Sequence, residues 1–264
     1  MSPLAMPRDF VIDDYDVDAF ATLAAHFGQD RYGYAVTPNA DHLIRWHQDA
    51  TFRDYYADAT YALMDSRIIG GLLSTPDGAR AHVCPGSDLT ERLLDSVVAA
   101  DDRIVLIGSE DSQASRLVER YGLKNLHHFN PPMGFADDPE AVEACLRFIE
   151  SHSPFRFCLL AVGAPRQEML ANALRVRGVA RGLALCVGAA IDFLTGKEQR
   201  APRWVQQAGF EWLFRLSQQP SRLAYRYLVR GPRVFFLLPR TRLVLRPPQR
   251  STATAELSKA VGAQ

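Results

Sequence analysis

Residues 155–177 decide the fold: Phe155-Arg156-Phe157-Cys158-Leu159-Leu160-Ala161-Val162, then Gly163-Ala164-Pro165, then Arg166-Gln167-Glu168-Met169-Leu170 and on to Arg177. A short, almost wholly apolar run closed by a glycine and a proline reads as a strand buried on both faces. The mixed charged and apolar residues after it read as a helix over 166–177. The same unit recurs on either side. Strands are expected at 32–36, 60–64, 103–107 and 183–187. Helices are expected from 37–39 to about 58, from 86 onward with Asp88 and Glu91 at capping-box spacing, at 112–121 and at 139–152. Alternating strands and helices with apolar strands imply a parallel sheet covered on both faces. Residues 1–30 form an acidic lead-in containing a short helix. From Gly196 the β signal stops, and the chain divides into an α/β domain (1–195), a helical, aromatic and basic appendage (196–246) and a polar tail (247–264).

The chain has 264 residues, 47% of them hydrophobic, with 30 Lys+Arg against 30 Asp+Glu, which places it with folded proteins rather than disordered or collagen-like ones. The balance hides a split. Residues 1–194 carry 17 basic and 27 acidic side chains, whereas 195–250 carry 12 and 2. Such asymmetry aims the C-terminal segment at an anion: nucleic acid, membrane lipid or an anionic substrate. No recognisable nucleic-acid module accompanies it, and the body is acidic, so nucleic acid is disfavoured. No apolar stretch approaches the roughly 18 to 20 residues that span a bilayer. The acidic N-terminus lacks the pattern of a secretory signal, so a cytoplasmic location is expected. Cys84, Cys145, Cys158 and Cys186 are far apart, which favours buried free thiols over disulfides or a zinc site.

In a parallel α/β sheet, ligands collect where strands end and helices begin, because exposed amides and the helix dipole favour anions there. Four such junctions carry polar groups: Thr37-Pro38-Asn39, Asp65, residues 163–168 and residues 188–192. Each also has a purely structural reading. Thr37 and Asn39 are good helix caps, Asp65 suits a turn, and Gly163 and Gly188 suit tight bends. No glycine stretch makes a dinucleotide or triphosphate fingerprint, which argues against nicotinamide and ATP enzymes. No nucleophile elbow is present. Asp14-Tyr15-Asp16 and Asp16-Val17-Asp18 read as a solvated acidic segment rather than a metal chelate. His127-His128, adjacent on a strand, point to opposite faces.

In order along the chain, Thr37-Pro38-Asn39, Asp65, Gly86-Ser87-Asp88-Leu89, Val105-Leu106-Ile107-Gly108, Pro132-Met133-Gly134-Phe135, residues 162–168, residues 187–196, Arg200-Ala201-Pro202-Arg203-Trp204 and residues 211–216 resemble the WecG/TagA/CpsF bacterial glycosyltransferases, glycosyltransferase family 26. The resemblance covers about residues 30 to 240. It implies a Rossmann-like parallel sheet with a basic C-terminal appendage that closes the active site. It also implies inverting transfer of a sugar, commonly N-acetylmannosamine or its uronic acid, from a UDP-sugar to a polyprenyl-diphosphate-linked saccharide in cell-surface polysaccharide or exopolysaccharide synthesis.

Carried over by position, the resemblance makes Asp65 the general base, with Thr37, Asn39 and Gln167 lining the pocket. UDP-sugar is expected at Gly163, Pro165, Gln167, Glu168, Gly188 and Asp192. Arg200, Arg203, Arg215 and Arg222 are expected to balance the diphosphate in place of a metal, since a forked guanidinium matches phosphate oxygens. The aromatic and basic appendage also suits an anionic membrane surface, so peripheral attachment to the inner face of the cell membrane is expected. Self-association into a homo-oligomer is compatible with the sequence. The chain departs from the family at Ser66-Arg67-Ile68-Ile69-Gly70, where a Gly-Ile-Gly-like stretch is usual, and at Tyr225-Arg226, where paired arginines are common. The alternative function is a non-catalytic, membrane-associated UDP-sugar-binding partner of a polysaccharide assembly complex, which would bind UDP without transferring sugar.

Overall fold

The computed structural model describes residues 8–202, 204–205 and 210–248, the side chains of residues 222 and 226 excepted. After a first strand, β1 (Arg8–Asp13), six strands form one sheet: β2 (Tyr32–Val36), β3 (Tyr61–Ala62), β4 (Ile104–Ile107), β5 (Leu126–Phe129), β6 (Phe157–Leu160) and β7 (Gly182–Cys186). Their order is β3-β2-β7-β6-β4-β5, and every neighbouring pair is parallel.

Period-two alternation sends successive residues of each strand into two separate cores. Tyr34, Val36, Val105, Ile107, Cys158, Leu160, Ala184 and Cys186 pack with α2 (Ala40–Gln48), α3 (Ala50–Ala57), α7 (Pro139–Ser151) and α8 (Arg166–Arg177). Ala35, Ile104, Leu106, Phe157, Leu159, Leu183 and Leu185 pack with α1 (Val17–Ala25), α5 (Gly86–Ser96), α6 (Asp111–Tyr121) and α9 (Ala190–Leu194). The doubly covered parallel sheet expected from the apolar strands is therefore present. All four cysteines are buried free thiols.

Several local readings change. The single helix expected up to residue 58 breaks into α2 and α3 at Asp49, whose Oδ1 accepts the Phe52 amide at 3.2 Å; a side chain that caps a new helix competes with continuing the old one. No side chain caps α5, so the Asp88–Glu91 capping box does not form. Asp88 instead faces Arg67 at 3.5 Å and also pairs with Arg200. The acidic lead-in is not simply solvated. Asp16 caps α1 by accepting the Ala19 amide at 2.8 Å, Asp14 accepts the His82 amide at 2.8 Å, and Asp18 pairs with Arg92 at 2.7 Å. His127 and His128 do take separate partners, Asn125 and the Gly108 carbonyl.

The appendage is not wholly helical. After α10 (Glu211–Gln218), α11 (Pro220–Ala224), a π-helical turn (Tyr225–Arg230) and α12 (Arg233–Leu237), it ends in a strand, β8 (Thr241–Arg246). This strand pairs in parallel with β1 to form a second, two-stranded sheet. Asp13, 7% exposed, fixes the junction with the main sheet: its Oδ2 accepts the Ala62 amide and Arg246 Nη2, each at 2.7 Å. Within the appendage expected at a membrane surface, Val234 is buried in the core, while Phe235 and Phe236 next to it are 58% and 78% exposed.

Candidate active site

Because all six strands run the same way, every loop that follows a strand lies along one edge of the sheet. The loops after β2 and β3 and the start of α5 meet at Asp65. The carboxylate follows β3 and precedes α4 (Arg67–Leu72). Its Oδ1 accepts the backbone N–H of Gly86, the first residue of α5, at 2.8 Å, and its Oδ2 faces Asn39 Nδ2 at 3.5 Å. The Asp65 amide donates to the Pro38 carbonyl at 3.1 Å, which ties the β3 loop to the β2 loop. Thr37 donates its hydroxyl to the Cys186 carbonyl at 3.1 Å and so joins the β2 loop to the end of β7. The capping reading holds for Asn39. It caps α2 through Oδ1, which accepts the amides of Asp41 and His42 at 3.1 and 3.4 Å, and it presents Nδ2 to Asp65.

Gln167 and Glu168 are 2% and 0% exposed, so they brace the site rather than form its accessible wall. Gln167 Oε1 accepts the Gly188 amide at 3.0 Å, and Gln167 Nε2 donates to Glu168 Oε1 at 2.8 Å. The same Glu168 oxygen lies 3.5 Å from His42 Nε2. The loops after β6 and β7 are thereby linked to α2. Tyr56, also buried, packs tilted against Phe52 and His42. Burial, and then the neighbouring Glu168, push its hydroxyl well above the ordinary tyrosine value, so it stays protonated.

A second feature lies where the winding reverses. From β4 the chain moves outward through α6 to β5, but from β6 it moves the other way through α8 to β7. Crossovers of one hand travelling in opposite directions leave on opposite faces, which opens a crevice between the two loops. Gly108 is needed at its floor: φ is +89°, and a Cβ there would lie 2.9 to 3.0 Å from Val162 and the Ala161 backbone. Ser109 follows at φ +70°, the one non-glycine residue with positive φ among the described residues; strain of this kind gathers at functional sites. Gly163, at φ +74°, and Pro165 shape the other lip. Asp192 accepts Gln113 Nε2 at 2.9 Å and so pins α9 to α6 beside the crevice.

Two of the four arginines expected at the diphosphate have described side chains, and both face carboxylates. Arg200 lies against Asp88, Glu91 and the Ser87 hydroxyl. Arg215 pairs with Glu198 at 3.2 Å and lies over the Phe193 ring at 5.1 Å. Both are thus held by carboxylates. Arg203 and the side chain of Arg222 are outside the described residues. Arg166 is the residue that sequence reasoning passed over: it opens α8 beside Gly163 and, among the described residues, has neither a hydrogen-bond nor an ion-pair partner. Its position just after Gly-Ala-Pro at a strand-to-helix junction was the available signal. No group of three or more His, Cys, Asp or Glu side chains that could hold a metal ion occurs among the described residues. Nor is any described helix long and apolar enough to cross a membrane.

A parallel sheet whose loop edge carries a braced carboxylate and, three strands away, a switch-point crevice has the layout in which α/β enzymes bind their ligands. The sequence model of the glycosyl transferase WecG/TagA/CpsF family matches residues 8–248, nearly the whole chain, and the chain belongs to that family. It is a glycosyltransferase of cell-surface polysaccharide synthesis, a family that in general takes a sugar-nucleotide donor and a lipid-linked acceptor.

Proposed function

We propose that the enzyme moves a sugar from a UDP donor, with inversion, onto a polyprenyl-diphosphate-linked saccharide, and that Asp65 is the general base. The donor sugar would be N-acetylmannosamine, its uronic acid or a related hexose or uronic acid. The observation that carries the reading is the placement of Asp65: a half-buried carboxylate on the loop edge, held at one oxygen by the Gly86 amide and at the other by Asn39. In the proposed step, the acceptor hydroxyl oxygen forms a bond to the anomeric carbon as the bond from that carbon to UDP breaks. The hydroxyl proton passes to Asp65, and UDP leaves with the electron pair. Three strand spacings separate β6 from β3, about 14 Å at roughly 4.8 Å each. A nucleoside diphosphate in the crevice could therefore extend its sugar toward Asp65. Incubation with a panel of UDP-sugars and a synthetic lipid-diphosphate saccharide tests the reading; UDP binding without turnover on any of them would favour the non-catalytic alternative.

The leaving diphosphate is assigned to arginine rather than to a metal, with Arg166 at the α8 N-terminus as the contact supplied by the α/β body. Arg203 and Arg222 are its proposed partners from the appendage. Replacing Arg166 with Ala should weaken UDP binding about tenfold, equivalent to about 1.4 kcal/mol, in buffer containing EDTA. Calorimetry giving an unchanged Kd, or binding by the parent protein only when manganese is restored, would refute the assignment.

The appendage is proposed to rest on the anionic inner leaflet. Trp204, Phe210, Tyr225, Phe235 and Phe236 are all more than half exposed and are interleaved with arginines, each worth about 1 kcal/mol near such a surface. The protein should float with anionic liposomes, and the double variant Phe235→Ser/Phe236→Ser should float severalfold less. Equal flotation of the two would reject this attachment.

A further inference from the structure

We infer that His42 is a positioning residue that holds Asp65 through Asn39, an inference that rests on reading Asp65 as the base. The Asn39 backbone N–H donates to His42 Nδ1 at 3.2 Å. A ring nitrogen that accepts carries no proton, so in the neutral imidazole the proton is on Nε2, facing Glu168 Oε1 at 3.5 Å. The ring is 5% exposed and stacks on Phe52 with centroids 6.0 Å apart, so it acts through Asn39 and not on a substrate. Asn39 Oδ1 is occupied by the amides of Asp41 and His42. That leaves Nδ2 as the Asn39 group able to reach Asp65. His42 thus fixes the Asn39 backbone, the cap fixes its side chain, and the remaining N–H orients the base.

A capping box ordinarily places flexible Glu or Gln at this third helical position. A rigid imidazole does more here. It faces Glu168 at 3.5 Å, longer than a hydrogen bond, and Gln167 ties Glu168 to the Gly188 amide, so one chain of contacts links the loops after β2, β3, β6 and β7. Misplacing a reacting group by about 1 Å costs on the order of a hundredfold in rate, which is the scale on which such a chain matters.

The test compares His42→Leu, His42→Gln, Asp65→Asn and the double variant Asp65→Asn/His42→Leu. His42→Leu should lower kcat about ten- to a hundredfold while the donor KM stays within about twofold. His42→Gln should recover most of the loss, because its amide oxygen can accept the Asn39 N–H. On the Asp65→Asn background, His42→Leu should have no further effect on residual turnover. Normal turnover in His42→Leu beside an impaired Asp65→Asn would overturn the inference alone; retained turnover in Asp65→Asn would remove the base and His42's role together. If His42→Leu does not fold, ¹⁵N NMR of the imidazole in the unaltered protein decides, since a proton on Nδ1 contradicts the arrangement and a bare Nδ1 supports it.

Discussion

Asp65→Asn should cut sugar transfer to a residual rate about 10²- to 10⁴-fold lower while leaving the fold and UDP binding in place. A general base contributes about 10² to 10⁴ in rate, and an amide at this position cannot take a proton from an attacking hydroxyl. The substitution is close to isosteric, and the new Oδ1 can still accept the Gly86 amide. Its Nδ2 would face Asn39 Nδ2, however, and Asn39 cannot turn round without releasing the Asp41 and His42 amides. One hydrogen bond is lost, about 1 kcal/mol, or roughly 2 to 4 °C in Tm for a chain of this size. Loss of transfer with a small Tm change and an unaltered UDP Kd is the expected combination. Turnover within about tenfold of the parent enzyme would exclude Asp65 as the base.

Gly182→Ala should cause the largest loss of stability. Gly182 opens β7 at φ +118°, and a Cβ there would lie 2.1 Å from the Phe155 carbonyl oxygen and 2.6 to 2.9 Å from the Phe155 ring. Neither neighbour can retreat. Phe155 is fully buried, and its amide is held by the Arg181 carbonyl at 3.1 Å. Backbone strain and forced displacement in a packed core each cost about 1 to 3 kcal/mol. A total of at least about 3 kcal/mol corresponds to a fall in Tm of roughly 6 to 12 °C. Gly182 lies at the opposite end of β7 from Gly188, so UDP affinity measured well below the transition should be unchanged. A parent-like Tm would contradict the strand entry described here.

Much of this architecture could be read from the chain because its signals are local. Helix α8 falls at 166–177 as expected, since Pro165 and Gly178 mark its ends. Strand β1 is hidden in the acidic lead-in, whereas β2, β3, β4, β6 and β7 stand out as short apolar runs. Strand β8 does not, because what makes Thr241-Arg242-Leu243-Val244-Leu245-Arg246 a strand is Arg8–Asp13 at the other end of the chain. The site divides the same way. Asp65 and Asn39 sit at junctions that the pattern exposes. The burial of Gln167 and Glu168, and the carboxylates that hold Arg200 and Arg215, arise from tertiary packing between segments far apart in sequence. His42 had a local signal after all: it stands three residues after Asn39, at cap-to-third-position spacing.

The pairing of β1 with β8 turns residues 196–240 from a free tail into a closed loop, anchored at one end by α9 and at the other by the two-stranded sheet. A tail can detach and drift; a loop with two anchors can only hinge. Lengthening such a loop changes its closure entropy only slowly, about 0.6 kcal/mol per doubling. The enzyme can therefore tolerate insertions between the anchors more readily than the loss of either one.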